Sequence, residues 1–308
     1  MRTPQERHID AALSEVSIKY ANSGFAAMQI LPPVYVSKQS NKYYEFGKEN
    51  LHRSMARRQN GTPSNRVSYT LSDSSYFCNE YALHDVVTDL DRNESDFGDP
   101  DVDSVEVLTE KLMLEYEYEV ASMLTTSGNY TNSVSLTHEW DDYTNSTPQS
   151  DVSTAKTTIY SATLKEANTM VIPYATAQAL ALHPHVKDIL KYTDPNTILR
   201  SGLPPVLWGL RVIEAGAGYA STKYGQTETL TALWGESVVI AHVAENPGPK
   251  TLSFGYSFAN MPKGKPWQVA SWAYPDGGEG GMKHEVFSRL DPVMTCETAG
   301  YLIENTQS

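Results

Sequence analysis

The chain has 308 residues, of which 40% are hydrophobic and 20% charged, and its formal net charge is -13. That composition excludes a disordered polypeptide and leaves room for one large domain or two of ordinary size. The acidity excludes a protein that reads DNA sequence, because counterion release from the phosphate backbone needs a cationic face; an acidic wall would instead let a duplex slide past it.

The longest apolar stretches, such as 170–173 and 237–244, fall far short of the roughly 20 residues that cross a bilayer, so no membrane span is expected. Arg2, Glu6, Arg7, His8 and Asp10 crowd the first ten residues, where a secretion signal would need an apolar core, and an intracellular protein is the expectation. Cys78 and Cys296 are too far apart in sequence for a disulfide framework or a zinc cluster, and their apolar surroundings predict buried free thiols. Asn-x-Ser/Thr sequons at Asn60, Asn93, Asn129 and Asn145 would matter only in a secreted eukaryotic protein, which nothing else here supports.

In chain order, residues 1–33 are a polar arm with scattered apolar groups at Ile9, Leu13, Val16, Ile18 and Phe25, closed by the Leu31-Pro32-Pro33 break. Such an arm has too little apolar surface to offset its own ordering entropy and needs a surface to lie on. From 34 to about 78, two strand-like runs bracket a polar tip. Val34, Tyr35 and Val36 lead toward Tyr43, Tyr44 and Phe46; on the return, Val67, Tyr69 and Leu71 alternate with Ser68, Thr70 and Ser72. Turn formers and cations at the tip, among them Gly61, Pro63 and Asn65, build no core. A bare two-stranded hairpin is marginal in water, so this one must dock on its own body or on a neighbour.

Charge sharpens that expectation. Within 38–66 the seven bases Lys38, Lys42, Lys48, Arg53, Arg57, Arg58 and Arg66 stand against the two acids Glu45 and Glu49, a local balance of +5. Within 99–119 the eight acids Asp99, Asp101, Asp103, Glu106, Glu110, Glu115, Glu117 and Glu119 stand against Lys111, a balance of -7. Complementary patches on one polypeptide suit a subunit that recognises copies of itself, although two ordinary solvated faces would look the same.

The acidic stretch opens the clearest helix. Asp103 with Glu106 makes a capping-box-like start, Val105, Leu108, Leu112, Tyr116, Val120 and Leu124 recur at three and four residue steps, and Gly128 is placed for a left-handed stop. About twenty residues of helix would span roughly 30 Å. A second helix is predicted over 151–160, then a strand at 169–173, a helix at 175–182 ended by His183-Pro184, a further element at 186–192, and strands near 210–214, 238–244, 252–259 and 269–274. The class is α+β without regular βαβ alternation.

Motifs for chemistry are weak. Gly216-Ala217-Gly218 begins like a dinucleotide fingerprint, but Ser221 replaces the third glycine and no helix pattern follows. Asp99-x-Asp101-x-Asp103 with Glu110 imitates a calcium loop, yet Ser104 stands where the turn glycine belongs. His183 and His185 lack a third metal ligand. The run 255–259 nearly forms a nucleophile elbow but ends in alanine inside a strand-like run. Neither catalytic residues, nor a cofactor, nor a metal site are expected.

The order of polar arm, basic hairpin, long acidic helix and α/β body resembles the Hong Kong 97 type fold of tailed-phage major capsid proteins. Leu31-Pro32-Pro33-Val34-Tyr35-Val36 with Lys42-Tyr43-Tyr44 is similar to the segment that leaves the arm and enters the extended loop of phage head proteins. Tyr81-Ala82-Leu83-His84 is similar to the run into their spine helix, and Trp140-Asp141, residues 177–186 and Gly300-Tyr301-Leu302-Ile303 resemble later landmarks. The resemblance implies an N-terminal arm (1–33), an E-loop (34–78), a P-domain (79–165, spine helix 104–127), an A-domain (166–284) and a C-terminal return to the P-domain (285–308).

It further implies a structural, non-enzymatic subunit that assembles through pentamers and hexamers into an icosahedral head around double-stranded DNA. That head would form in the host cytoplasm and become the virion capsid, with a portal and a decoration protein as further partners. The chain has no room for a fused scaffolding segment, so a separate scaffolding protein is expected. Lys38, Lys42 and Lys48 are available in the loop, but nothing marks one as activated for crosslinking. The contacts expected between subunits join Lys38, Lys42, Lys48, Arg53, Arg57, Arg58 and Arg66 of the loop to Glu106, Glu110, Glu115, Glu117 and Glu119 of the helix. An encapsulin-like shell of the same fold is the nearest alternative, and an enzyme with dispersed catalytic residues a more distant one.

Overall fold

The computed structural model describes residues 24–307 apart from 47, 55, 62, 65, 69–70, 96–98, 191–200, 223–226, 228, 249–250 and 275–279. The first 23 residues of the expected arm lie outside the described residues, as do Tyr69 and Thr70 of the expected return strand and residues 191–192.

The first half of the chain runs through α1 (Ala27–Ile30), β1 (Pro33–Tyr35), β2 (Ser40–Phe46), β3 (Leu71–Phe77), β4 (Asn79–Thr88), α2 (Asp89–Glu94), the long α3 (Pro100–Leu124), β5 (Ser133–Ser135) and α4 (Pro148–Thr163). It continues through β6 (Thr169–Pro173), α5 (Tyr174–Leu182), α6 (Pro184–Leu190), β7 (Val206–Leu207), β8 (Leu210–Ala215), β9 (Gly218–Ala220), β10 (Leu230–Ala232) and β11 (Val238–Ala241). β12 (Gly255–Ala259), β13 (Gln268–Ala273), β14 (Gly281–Met294) and β15 (Gly300–Glu304) complete it.

One mixed sheet, in the order β5-β15-β11-β6-β8-β7, is covered on both faces. Its strands alternate with a period of two. Met170, Ile172, Val212, Val238, Ile240 and Ile303 pack on one side with Trp140, with Val152, Ala155 and Ile159 of α4 and with Leu180 of α5. Val171, Ile213, Val239, Ala241 and Leu302 pack on the other side in the core that α3 also enters. Burial on both faces explains why segments such as 169–173 and 238–241 read as unbroken apolar runs.

The second sheet is built on β14. It pairs antiparallel with β4 over ten positions, from Gly281 opposite Thr88 to Leu290 opposite Asn79. β13 and β12 follow one another along its other edge, and β1 extends β12 in parallel. Neither β4 nor β14 was legible in the sequence: Lys283, His284, Glu285, Arg289, Asp291 and Pro292 interrupt the apolar pattern, because the even positions of β14 face α3 while its odd positions face away. The division expected at 284/285 falls inside β14, and β15, expected with the peripheral part, is hydrogen-bonded between β5 and β11.

α3 lies across this second sheet and differs from expectation at both ends. It begins at Pro100, where proline's missing N–H costs nothing, and Asp99 rather than Asp103 is the cap, accepting from Asp101 N at 3.1 Å. It ends at Leu124, and Gly128 supplies no left-handed stop. The last carbonyls are taken instead by Asn129 Nδ2 donating to Met123 O at 2.8 Å, Tyr130 OH to Leu124 O at 2.8 Å, and Thr125 and Thr126 bonding back one turn.

The described end of the expected arm packs on its own chain. Ala26, Ala27, Ile30 and Leu31 are fully buried in the main core, so this stretch belongs to the body. Of the two cysteines, Cys78 is a buried free thiol as expected, but Cys296 is only half-buried.

Candidate functional site

The hairpin is anchored at its root and bare at its end. β2 and β3 pair antiparallel from Ser40 opposite Phe77 to Phe46 opposite Leu71, and in their own two-stranded sheet they pair only with each other. The return strand starts at Leu71, not at Val67, which has no strand pairing. At the root, Tyr76 stacks on Phe258 at 4.6 Å between ring centroids and Tyr43 tilts against the same ring at 5.3 Å. Cys78, Val34, Val36 and Val293 complete this small cluster. Phe77 N donates to Asp291 Oδ2 at 2.8 Å and Gln39 Nε2 to Cys78 O at 3.1 Å. Burial pushes the Asp291 carboxyl above its ordinary value, an effect the Phe77 N–H partly offsets.

Beyond the root the apolar side chains turn to solvent: Tyr44 is 62% exposed, Val67 67% and Leu51 68%. Lys38, Lys48, Arg53, Arg57, Arg58 and Arg66 are all exposed as well. Lys42 is exposed but already pairs with Asp73 across the hairpin at 2.5 Å, which makes it a poorer bridge to another molecule.

The acids expected to meet these cations separate into different environments. Glu115 is exposed, while Glu106 and Glu110 are half-buried. Glu119 is half-buried and accepts the Tyr81 hydroxyl of β4; burial first, then the neighbouring carboxylate, pushes that phenol above its ordinary range. Glu117 must be withdrawn from the set. It is 1% exposed and accepts Ala26 N at 2.9 Å, Ala27 N at 2.8 Å and Trp234 Nε1 at 2.7 Å. Its carboxylate thereby caps the first free N–H groups of α1. Burial nonetheless holds its pKa above the ordinary value, against the pull of the three donors. The spacing could have shown this, since 113, 117 and 121 recur by four along the apolar stripe. Between α3 and β4 lies a groove of about 700 Å³, walled by Leu83, Lys111, Glu115 and Tyr118 and closed by Tyr219, whose ring meets Tyr118 edge-on at 5.6 Å.

Asp101, His284 and Ser271 have the residue types of a nucleophilic triad. His284 Nε2 lies 2.6 Å from Asp101 Oδ1, and Ser271 Oγ lies 2.8 Å from His284 Nδ1. The arrangement is a clamp. Ser271 and His284 are 5% and 2% exposed beneath α3, where no substrate reaches, and Arg92 forks both Asp101 oxygens at 2.7 and 2.9 Å. Burial alone would raise the Asp101 carboxyl, but Arg92 and His284 together take it below its ordinary value.

The remaining motifs dissolve in the same way. Gly216 and Gly218 lead into strand β9 instead of a helix, and Ser257 of the elbow-like run is fully buried in β12, donating to Leu31 O at 3.0 Å. His183 is buried against Ser146 and His185, and among the described residues no group of three or more His, Cys, Asp or Glu is placed to hold a metal ion.

No protein-family model matches the chain. In sequence it is similar to the major capsid protein of Burkholderia phage BcepMu, 26% identical over 315 residues and covering 98% of each protein. In structure it is similar to a phage-related protein from Bordetella bronchiseptica RB50, with a TM-score of 0.75, 25% identity, and coverage of 98% of this chain and 99% of that one. The capsid of cyanophage P-SCSP1u shares the fold at a TM-score of 0.63 and 9% identity, covering 99% of this chain and 92% of that one. Taken with the root-anchored hairpin and the long helix crossing a sheet, these full-length likenesses identify the Hong Kong 97 type capsid fold, and the chain is a phage major capsid protein, a structural subunit of the virion shell.

Proposed function

We propose that copies of this chain close into an icosahedral shell by laying the exposed part of each 34–78 hairpin, the E-loop, across the acidic face of α3 in the next copy. The observation that carries this reading is the hairpin itself: its root is packed on its own sheet, while Leu51, Val67 and four arginines further along have no core of their own. Surface ion pairs contribute only about 0 to 1 kcal/mol each, so Arg53, Arg57, Arg58 and Arg66 set register while tyrosine and apolar side chains supply most adhesion.

On this reading α3 with the sheet built on β4 and β14 is the peripheral P-domain, and the sheet centred on β6 and β11, with β5 in it and α4 packed on it, is the axial A-domain, meeting its copies in pentamers and hexamers. The shell encloses double-stranded DNA, forms in the host cytoplasm on a separate scaffolding protein, and takes a portal. The role is mechanical and involves no catalysis. Replacing Arg57 and Arg58 together by Glu tests the loop assignment. Negative-stain microscopy should then show particles lost while circular dichroism of the subunit is unchanged; intact particles from the variant would refute the assignment.

A further inference from the structure

A cavity of about 500 Å³ opens between the hairpin and the body, well within the size range of small-molecule sites. One wall comes from the hairpin, with Tyr44, Lys48 and Leu51; the other comes from the body, with Lys165 just past α4, Leu252 and Tyr256. Its surface is mainly carbon. Three of the hydroxyls along it are already committed within the chain: Thr163 donates to Ile159 O at 2.8 Å, Tyr256 to Thr251 O at 2.9 Å and Thr295 to Ser253 O at 3.0 Å.

Charge gives the cavity its selectivity. The chain carries 37 acids against 24 bases, yet among the residues whose side chains are described this cavity is lined by two lysines and no acid. Neither Lys48 nor Lys165 has a carboxylate partner among the described residues, and both are exposed at the surface. A guest that fills the apolar space therefore finds two ammonium groups as its charged partners. An anionic head would exchange water for charge-assisted contacts, about twice as strong as those a neutral polar guest could make there.

We propose that this cavity is a binding site for an amphipathic anion, an aromatic or alkyl body carrying one carboxylate or sulfonate, held with its body against Leu51 and Leu252 and its head at Lys48 and Lys165. A guest there touches hairpin and body at once, so binding ties the loop to its own subunit. The site is present in a single copy, so it can be tested on the unassembled subunit.

Fluorescence titration of the purified full-length chain with anilinonaphthalenesulfonate, beside the uncharged phenylnaphthylamine, tests it. One saturable sulfonate site per chain is expected. Reversing Lys48 and Lys165 to Glu should weaken the sulfonate about tenfold or more and leave the neutral dye unchanged, with Lys48→Arg and Lys165→Arg restoring it. Leu51→Asp, at a solvent-exposed position that folding tolerates, should weaken both dyes. Equal affinity for the two dyes in the native chain, or sulfonate binding indifferent to the lysine reversal, would overturn the proposal.

Discussion

The central sheet and the hairpin use the same strand chemistry to opposite ends. In the sheet of β6, β8, β11 and β15, both faces are buried by this one chain, so each side chain's position is over-determined. In the hairpin the root packs in a small cluster around Phe258, and apolar side chains further out, such as Tyr44, Leu51 and Val67, are left to solvent. On the proposed function, the contrast separates residues that make the subunit from residues that join subunits. A substitution in the sheet should act on folding; one at the end of the hairpin should act on assembly.

The comparison breaks most readily at Trp234, which is buried in the main core and donates to Glu117. Trp234→Ala should lower stability by about 3 to 5 kcal/mol in urea unfolding of the subunit. A loss below about 1 kcal/mol would mean that this core is far looser than its packing indicates.

Glu117→Gln comes next, at about 1 to 3 kcal/mol, because an amide cannot accept every N–H that the carboxylate accepts and one buried donor is orphaned. Its pH signature has a definite sign. Burial raises the native pKa of Glu117, so the native state holds the proton more tightly than the unfolded chain. The stability linked to this group is complete below the unfolded carboxylate value and is lost as pH rises through the raised native one; Glu117→Gln should remove that slope. Asp101 runs the other way. Its lowered native value contributes stability above the unfolded carboxylate range that fades as pH falls through the native value, and Asp101→Asn should flatten the acid limb of the curve.

The smallest effect on folding, within about 0.5 kcal/mol, is expected for reversal of Arg57 and Arg58, which are exposed, even though particle formation should fail. Raising salt from 0.05 M to about 0.5 M should slow assembly of the native chain as seen by light scattering, since the steering between loop and helix is screened. An unchanged rate would detach charge from register.

Elements with one dominant period were legible in the sequence. α3 was visible through Val105, Leu108, Leu112, Tyr116 and Val120, and β6 and β11 through their apolar runs. β4 and β14 were not, because their burial depends on partners remote in the chain: His284 is buried only because Asp101, far away in sequence, comes to lie 2.6 Å from it. Glu117 misled for the same reason. Its charge reads as surface, and only the return of residues 26–27 and Trp234 to the helix supplies the donors that let it sit inside. The cationic hairpin was legible as a charge anomaly, but the cavity beneath it was not, since its walls come from segments some two hundred residues apart.

β14 behaves as a beam. At one end Asp291 holds the hairpin root through the Phe77 N–H, and at the other His284 holds the first turn of α3 through Asp101, about 23 Å of strand away. Between those two grips β4 pairs with every residue of β14 up to Leu290, while β13 and β12 divide its other edge. On the proposed function, a load applied where one subunit's loop is pulled would pass along this strand to the start of its own long helix.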